Sequence, residues 1–165
     1  MSTSDTYTTQ ASALQKLAFF ASRWKANGTF FATPTSGQKV IEMTIHGTYD
    51  LENNWLLLHT QENPTPENSH PLSAIYIWGY DLSSQQFLAS WFDSNGGRAT
   101  QTSSGWDGDQ LVFLGEMTVA GQMFPLRDTF VKKGEDTYYH VGEAYFQEQW
   151  VPVDEETVSR EGEKL

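Results

Sequence analysis

The chain has 165 residues, a formal net charge of −11 at pH 7, 14% aromatic residues and no cysteine. That length suits one domain with a core of its own. The charge leaves no basic stripe for phosphates and disfavours anionic membranes, and the absence of thiols excludes disulfides, thiolate catalysis and zinc–thiolate sites.

The opening "MSTSDTYTTQ" has neither the basic nor the apolar region of a signal peptide. No apolar run approaches the roughly 20 residues of a membrane-spanning helix, so the expected location is the cytoplasm. The reading is one domain over residues 1–165, with 1–9 frayed. Ser12 and Gln15 have the spacing of a capping box. Leu14, Leu17, Ala18 and Ala21 then fall on one face of a helix of about ten residues.

From Trp24 onward the pattern is of strands: "WKANGTFFA", "KVIEMTIHGTYD", "WLLLHTQ", "SAIYIWGYD", "QFLASWFD", "RATQTSSGW", "QLVFLGEMTV", "MFPLRDTFVK", "TYYHVGEAYFQ" and "WVPVDEETVSR". A Pro- and Asn-containing loop spans 63–71, and the other connections are mostly short and rich in Gly, Asp and Asn, as hairpins use. About ten strands joined this way predict an all-β, antiparallel, up-and-down barrel, because closure removes exposed edges. A β-sandwich is the competing architecture. The short N-terminal helix is expected to cap the barrel, with Trp24 wedged beneath its floor. The acidic tail "DEETVSREGEKL" reads as a mostly solvated edge strand and terminus.

Arg127 sits mid-strand among apolar residues in "FPLRDTF" and, facing inward, needs a carboxylate or a ligand oxygen. Glu143 in the next strand is its expected partner, and the pair suits the polar group of a ligand. His46, His59 and His140 are candidate bases or ligands without metal-binding spacing, so a metal site needs assembly across strands. Asp93 before "SNGG" reads as a turn cap. Trp55, Tyr76, Trp78, Trp91, Phe113, Tyr139 and Tyr145 are more aromatics than one small core needs, and some are expected to line a cavity. No nucleophile elbow, phosphate loop, dinucleotide fingerprint or zinc motif is present.

"LQKLAFFASRWKANGTF" resembles the opening of a bacterial family of uncharacterised lipocalin-like (calycin-type) proteins, usually L-x-x-L-x-G-x-W-x-G-x-G-x-F. Here Ser22 and Ala26 replace two of the glycines, which implies a looser floor. "GYDLSSQQFLASWFDSNGG", "GWDGDQLVFLGEM", "FPLRDTFVK" and "EQWVPVDEETVSR" are similar to later hairpins and the closing strand of that family. The wider calycin group includes lipocalins, fatty-acid-binding proteins, haem-binding nitrobindins and phycobiliprotein lyases. The resemblance implies a lipocalin-like barrel with an internal ligand cavity and an arginine, Arg160, laid over Trp24. It also argues against haem, because the nitrobindin-like ligand lies near the chain end and no histidine follows His140.

The leading expectation is binding of a small, largely apolar molecule inside the barrel. Arg127 is expected to anchor its polar group, with Trp55, Tyr76, Trp78, Trp91, Tyr139 and His46 as further contacts. The alternative is a cofactor-independent cyclase or isomerase in the same cavity, using Glu143, His140 and His59. A third is an interaction protein whose barrel is filled by its own side chains. No metal, cofactor, nucleic acid or membrane is expected, and a homodimer is an open expectation.

Overall fold

A computed structural model describes residues 8–34 and 36–162. The expected fraying therefore falls largely outside the described residues. The chain begins with α1 (Gln10–Leu14) and continues as a 3-10 helix (Gln15–Phe20). The strands are β1 (Arg23–Phe30), β2 (Lys39–Asp50), β3 (Trp55–Glu62), β4 (Ser73–Asp81), β5 (Gln86–Asp93), β6 (Arg98–Ser103), β7 (Trp106–Asp107), β8 (Gln110–Val119), β9 (Gln122–Lys132), β10 (Thr137–Phe146) and β11 (Gln149–Arg160).

Each strand pairs antiparallel with its neighbour in sequence, except at β6–β8 and β1–β11. Those two pairings close ten strands into a barrel, and the two-residue β7 is a spur paired with β8. The expected all-β meander is what forms. β11 is its closing stave, hydrogen-bonded on both sides, and the reading of its acidic run as a mostly solvated edge is corrected. Val158 and Glu156 are buried there.

The helical segment differs from the expected helix. Thr9 is the N-cap, and its side chain and that of Ser12 exchange the two capping-box hydrogen bonds, so the box lies one turn earlier than Ser12–Gln15. After Leu14 the chain tightens to three residues per turn, and Leu14, Leu17 and Phe20 become the buried series. Ala18 is exposed as a result. The carbonyls of this segment are taken up by aromatic donors from the barrel: Tyr49 Oη on Leu14 (3.0 Å), Trp106 Nε1 on Lys16 (2.8 Å) and Trp24 Nε1 on Phe20 (3.2 Å). Gly47 lets the Phe20 carbonyl approach where a Cβ would collide.

The floor is a layer of rings. Phe20 meets Trp78 at 4.9 Å, Tyr138 at 5.3 Å and Phe130 at 5.5 Å, with mostly edge-to-face packing. Trp24, 1% exposed, is edge-on to Tyr138, and the Arg160 guanidinium covers its indole at 4.4 Å. Arg160 is held there by Asp136 (2.9 Å) and the Glu135 carbonyl (2.9 Å). The expected closure over Trp24 is present. At the opposite end, no helix covers the barrel among the described residues. Inward positions there include Phe30, Phe124 and the half-exposed Phe146.

Candidate functional site

Strand alternation sorts the expected site residues by face. On β9, Leu126, Asp128 and Phe130 are buried, whereas Arg127 and Thr129 are less so. On β10, Tyr138, Gly142 and Ala144 are buried on one face, which His140 shares. Arg127 and Glu143, one step out of phase, lie on the outside.

The expected Arg127–Glu143 pair forms, with Nε donating to Oε2 at 2.8 Å, and the guanidinium stacks 4.4 Å from the Trp150 ring. It is a surface clamp over three strands, which corrects the inward placement of Arg127. Tyr139 is also outward. Its hydroxyl donates to Glu155 at 2.6 Å, and that bond pushes its pKa up to about 12. Trp55 lies outside over Gly79, where any side chain would overlap its ring. His46 and His59 are cross-strand partners on the outer face, beside a depression of about 340 Å³ also lined by Arg23. Of the expected contacts, Tyr76, Trp78, Trp91 and His140 face inward. Asp93 is the turn cap expected, accepting from the Asn95 and Gly97 amides and from Trp91 Nε1.

Above the aromatic floor, the inward face carries a polar network drawn from five strands. Its centre is His140. Nε2 faces Asp128 Oδ1 at 2.7 Å, and Nδ1 faces Glu156 Oε2 at 2.5 Å and Asp154 Oδ2 at 3.6 Å. The second Asp128 oxygen accepts from Gln101 Nε2 (2.7 Å), and the Tyr76 hydroxyl, 3.4 Å from that oxygen, donates to Gln101 Oε1. The side chains of His140 and Asp154 keep 16% and 18% exposure.

The backbone is shaped for these groups. A bulge between β10 and β11 at Gly142/Glu143 shifts the register, so that Asp154 faces Gly142 and Glu156 faces His140. A Cβ at Gly142 would occupy the place of the Asp154 carboxylate, and one at Gly28 would meet Glu156. Neither glycine has a side chain that the fold could tolerate there.

Electrostatics follow from three carboxylates around one imidazole. Burial disfavours the imidazolium, but the Glu156 charge, the bonds to Asp128 and Glu156 and the Asp154 charge outweigh it, raising the His140 pKa well above 6.5. Asp154 is pushed well above the usual carboxylate range by burial, then by Glu156, against the opposing pull of His140. Burial and the Asp128 charge likewise raise the Tyr76 hydroxyl, with Trp78 pulling the other way. Both His140 and Asp154 thus hold their protons more tightly in the folded chain than they would in water.

One polar atom is left over. Trp78 Nε1 is fully buried and makes no hydrogen bond of full geometry, approaching the Tyr76 hydroxyl only closely enough to act on its ionisation as a weak donor. Asp128, Gln101, Asp154 and Glu156 were missed by the sequence reasoning. For Asp128 and Gln101 the signal was available: each sits in phase with apolar neighbours, Leu126 and Phe130 in one strand and Ala99 in the other.

No protein-family model matches the chain, and no curated protein matches it. Among solved structures, the crystal structure of Rv2717c from M. tuberculosis superposes with a TM-score of 0.72, covering 93% of this chain and 100% of that one at 12% identity. At that identity the likeness supports the barrel fold and carries no activity over.

Proposed function

We propose that the barrel binds a small, largely apolar molecule on its inward face, and that Trp78 with the Tyr76–Gln101–Asp128–His140 network receives that molecule's polar group. The observation that carries this reading is Trp78 Nε1, a fully buried inward donor that makes no hydrogen bond of full geometry. An unsatisfied buried N–H costs about 1–3 kcal/mol, which a ligand oxygen placed beside it restores. The Trp78 ring is surrounded by Phe20, Phe113 and Phe130, with the Tyr76 hydroxyl as its polar neighbour. Arg127 has no part in this reading.

The test compares a medium-chain ketone with the alkane of the same length, titrated by intrinsic tryptophan fluorescence. Trp78→Phe keeps a ring and removes the N–H, and is expected to weaken the ketone about tenfold while leaving the alkane unchanged. Arg127→Ala is expected to leave both unchanged. Ketone binding that ignores Trp78→Phe yet weakens with Arg127→Ala moves the site to the outer face and overturns the reading.

A second reading has an observation of its own. Asp154, which burial and Glu156 make hold its proton more tightly than an ordinary carboxyl, lies 3.6 Å from His140 Nδ1 and suits the general acid of a cofactor-independent cyclase or isomerase. For such an enzyme, Asp154→Asn lowers the rate by roughly 10²–10⁴ while substrate still binds. A binder shows no turnover to lose.

A further inference from the structure

We propose that His140, Asp154 and Glu156 form a divalent-cation site, with Asp128 as the partner that orients the histidine. The inference uses the inward layer described above but does not rest on any organic ligand entering it. One donor atom from each of the three residues lies within 4.8 Å of the others. All three come from two adjacent strands whose register is set by the Gly142 bulge, so the donors converge through the backbone and not through long flexible side chains.

The histidine is arranged as metal-binding histidines are. Its Nε2 points at Asp128 Oδ1 (2.7 Å), and Asp128 is itself fixed by Gln101 and Tyr76. Asp128 keeps a proton on Nε2, and a metal at Nδ1 displaces the proton that Nδ1 shares with Glu156 Oε2 at 2.5 Å. That other nitrogen, Nδ1, is the one facing Asp154 and Glu156.

Distances fit a small ion after a slight adjustment. Bonds of about 2.0–2.2 Å in a tetrahedral site put donors roughly 3.3–3.5 Å apart. Nδ1 to Asp154 Oδ2 is already 3.6 Å, and Nδ1 to Glu156 Oε2, at 2.5 Å, is a hydrogen-bond distance that must open by about 1 Å. Two carboxylates and a neutral imidazole balance a dication. One nitrogen and two oxygens suit zinc, manganese or cobalt rather than calcium or copper(I).

Three protein ligands leave a coordination position open, as in sites where a metal holds water or a substrate oxygen. His140 and Asp154 keep partial exposure beside that position.

The experiment uses the whole chain, stripped with a chelator and titrated with zinc, manganese or cobalt chloride alone by calorimetry, with thermal unfolding in parallel. The expected result is one ion per chain with micromolar or tighter zinc affinity, and a melting temperature that rises with metal concentration. Asp154→Asn is expected to weaken zinc about a hundredfold or more. Asp128→Asn, which touches no metal, is expected to weaken it 10–100-fold. His59→Gln, on the outer face, should change nothing. Absence of stoichiometric binding overturns the proposal, as does zinc binding that survives Asp154→Asn in a folded protein or is lost with His59→Gln. Should the inner variants not fold, the cobalt-loaded parent decides. Paramagnetically shifted ring protons assigned to His140 support the site, and shifts confined to His46 and His59 overturn it.

Discussion

Trp24→Ala is expected to destabilise the protein by about 3–5 kcal/mol, the range for truncating a buried large aromatic. The residue is 1% exposed, its ring packs on Phe19 and Tyr138, and its Nε1 satisfies the Phe20 carbonyl at 3.2 Å. Its loss also uncovers the face on which Arg160 lies, so the closing strand loses its contact with the floor. Urea unfolding of the two proteins, at equal slope, measures the difference. A loss below about 1 kcal/mol would mean that the floor is not held by this residue. Arg160→Ala should cost less than Trp24→Ala, since its guanidinium is partly solvated and its contribution is stacking over an already buried ring.

The second large effect is electrostatic. In metal-free protein, His140→Gln removes the only cation among Asp128, Asp154 and Glu156, and breaking a buried pair in this way costs about 3–5 kcal/mol near neutral pH. The groups facing His140 come from two flanking strands, Asp128 on β9 and Asp154 and Glu156 on β11, with Tyr76 across the barrel. His140 and Asp154 both bind their protons more tightly in the folded chain than in the unfolded one. Their stabilisation is therefore complete below the ordinary values, 6.5 for the histidine and 3.8 for the aspartate, and is lost as pH rises through the raised folded values. The parent protein should accordingly lose stability as pH rises above about 6.5, and the penalty of His140→Gln should be fullest in acid and shrink as pH rises. Urea midpoints measured from pH 5 to pH 9 check both slopes. A parent curve that climbs through the alkaline range contradicts the charge assignment.

Most of the fold was legible because hairpin punctuation and strand alternation are local properties. The runs at Lys39–Asp50, Ser73–Asp81, Gln86–Asp93 and Gln110–Val119 have the bounds that the sequence suggests. The helix was less legible. A register of Leu14, Leu17, Ala18 and Ala21 assumes 3.6 residues per turn, and the chain tightens after Leu14 because Phe20 must reach the floor. β7 was hidden in "RATQTSSGW", where Gly105 at φ 97° breaks the strand.

The site was legible only in part. In "FPLRDTF" a charge on either phase looks plausible, yet Leu126 and Phe130 are in phase with Asp128, which assigns Arg127 to the outside. "TYYHVGEAYF" is apolar on both phases, so alternation does not choose between His140 and Glu143. Asp154 and Glu156 look like solvated charges in an acidic run. They are buried because a histidine from the adjacent strand and a bulge at Gly142 receive them, and neither is visible along one strand. The same reason hid the grouping of His140 with carboxylates from a search for histidine spacing, since its ligand-type neighbours are cross-strand partners.

The most direct test is a crystal structure of the protein purified from its own host without added ligand. The account predicts non-protein density on the inward face, with an acceptor atom within about 3.2 Å of Trp78 Nε1 and the remainder extending along the apolar wall. Density for a bound molecule confined to the outer face beside Arg127 and Trp150, with the Trp78 N–H still unpaired, would contradict it.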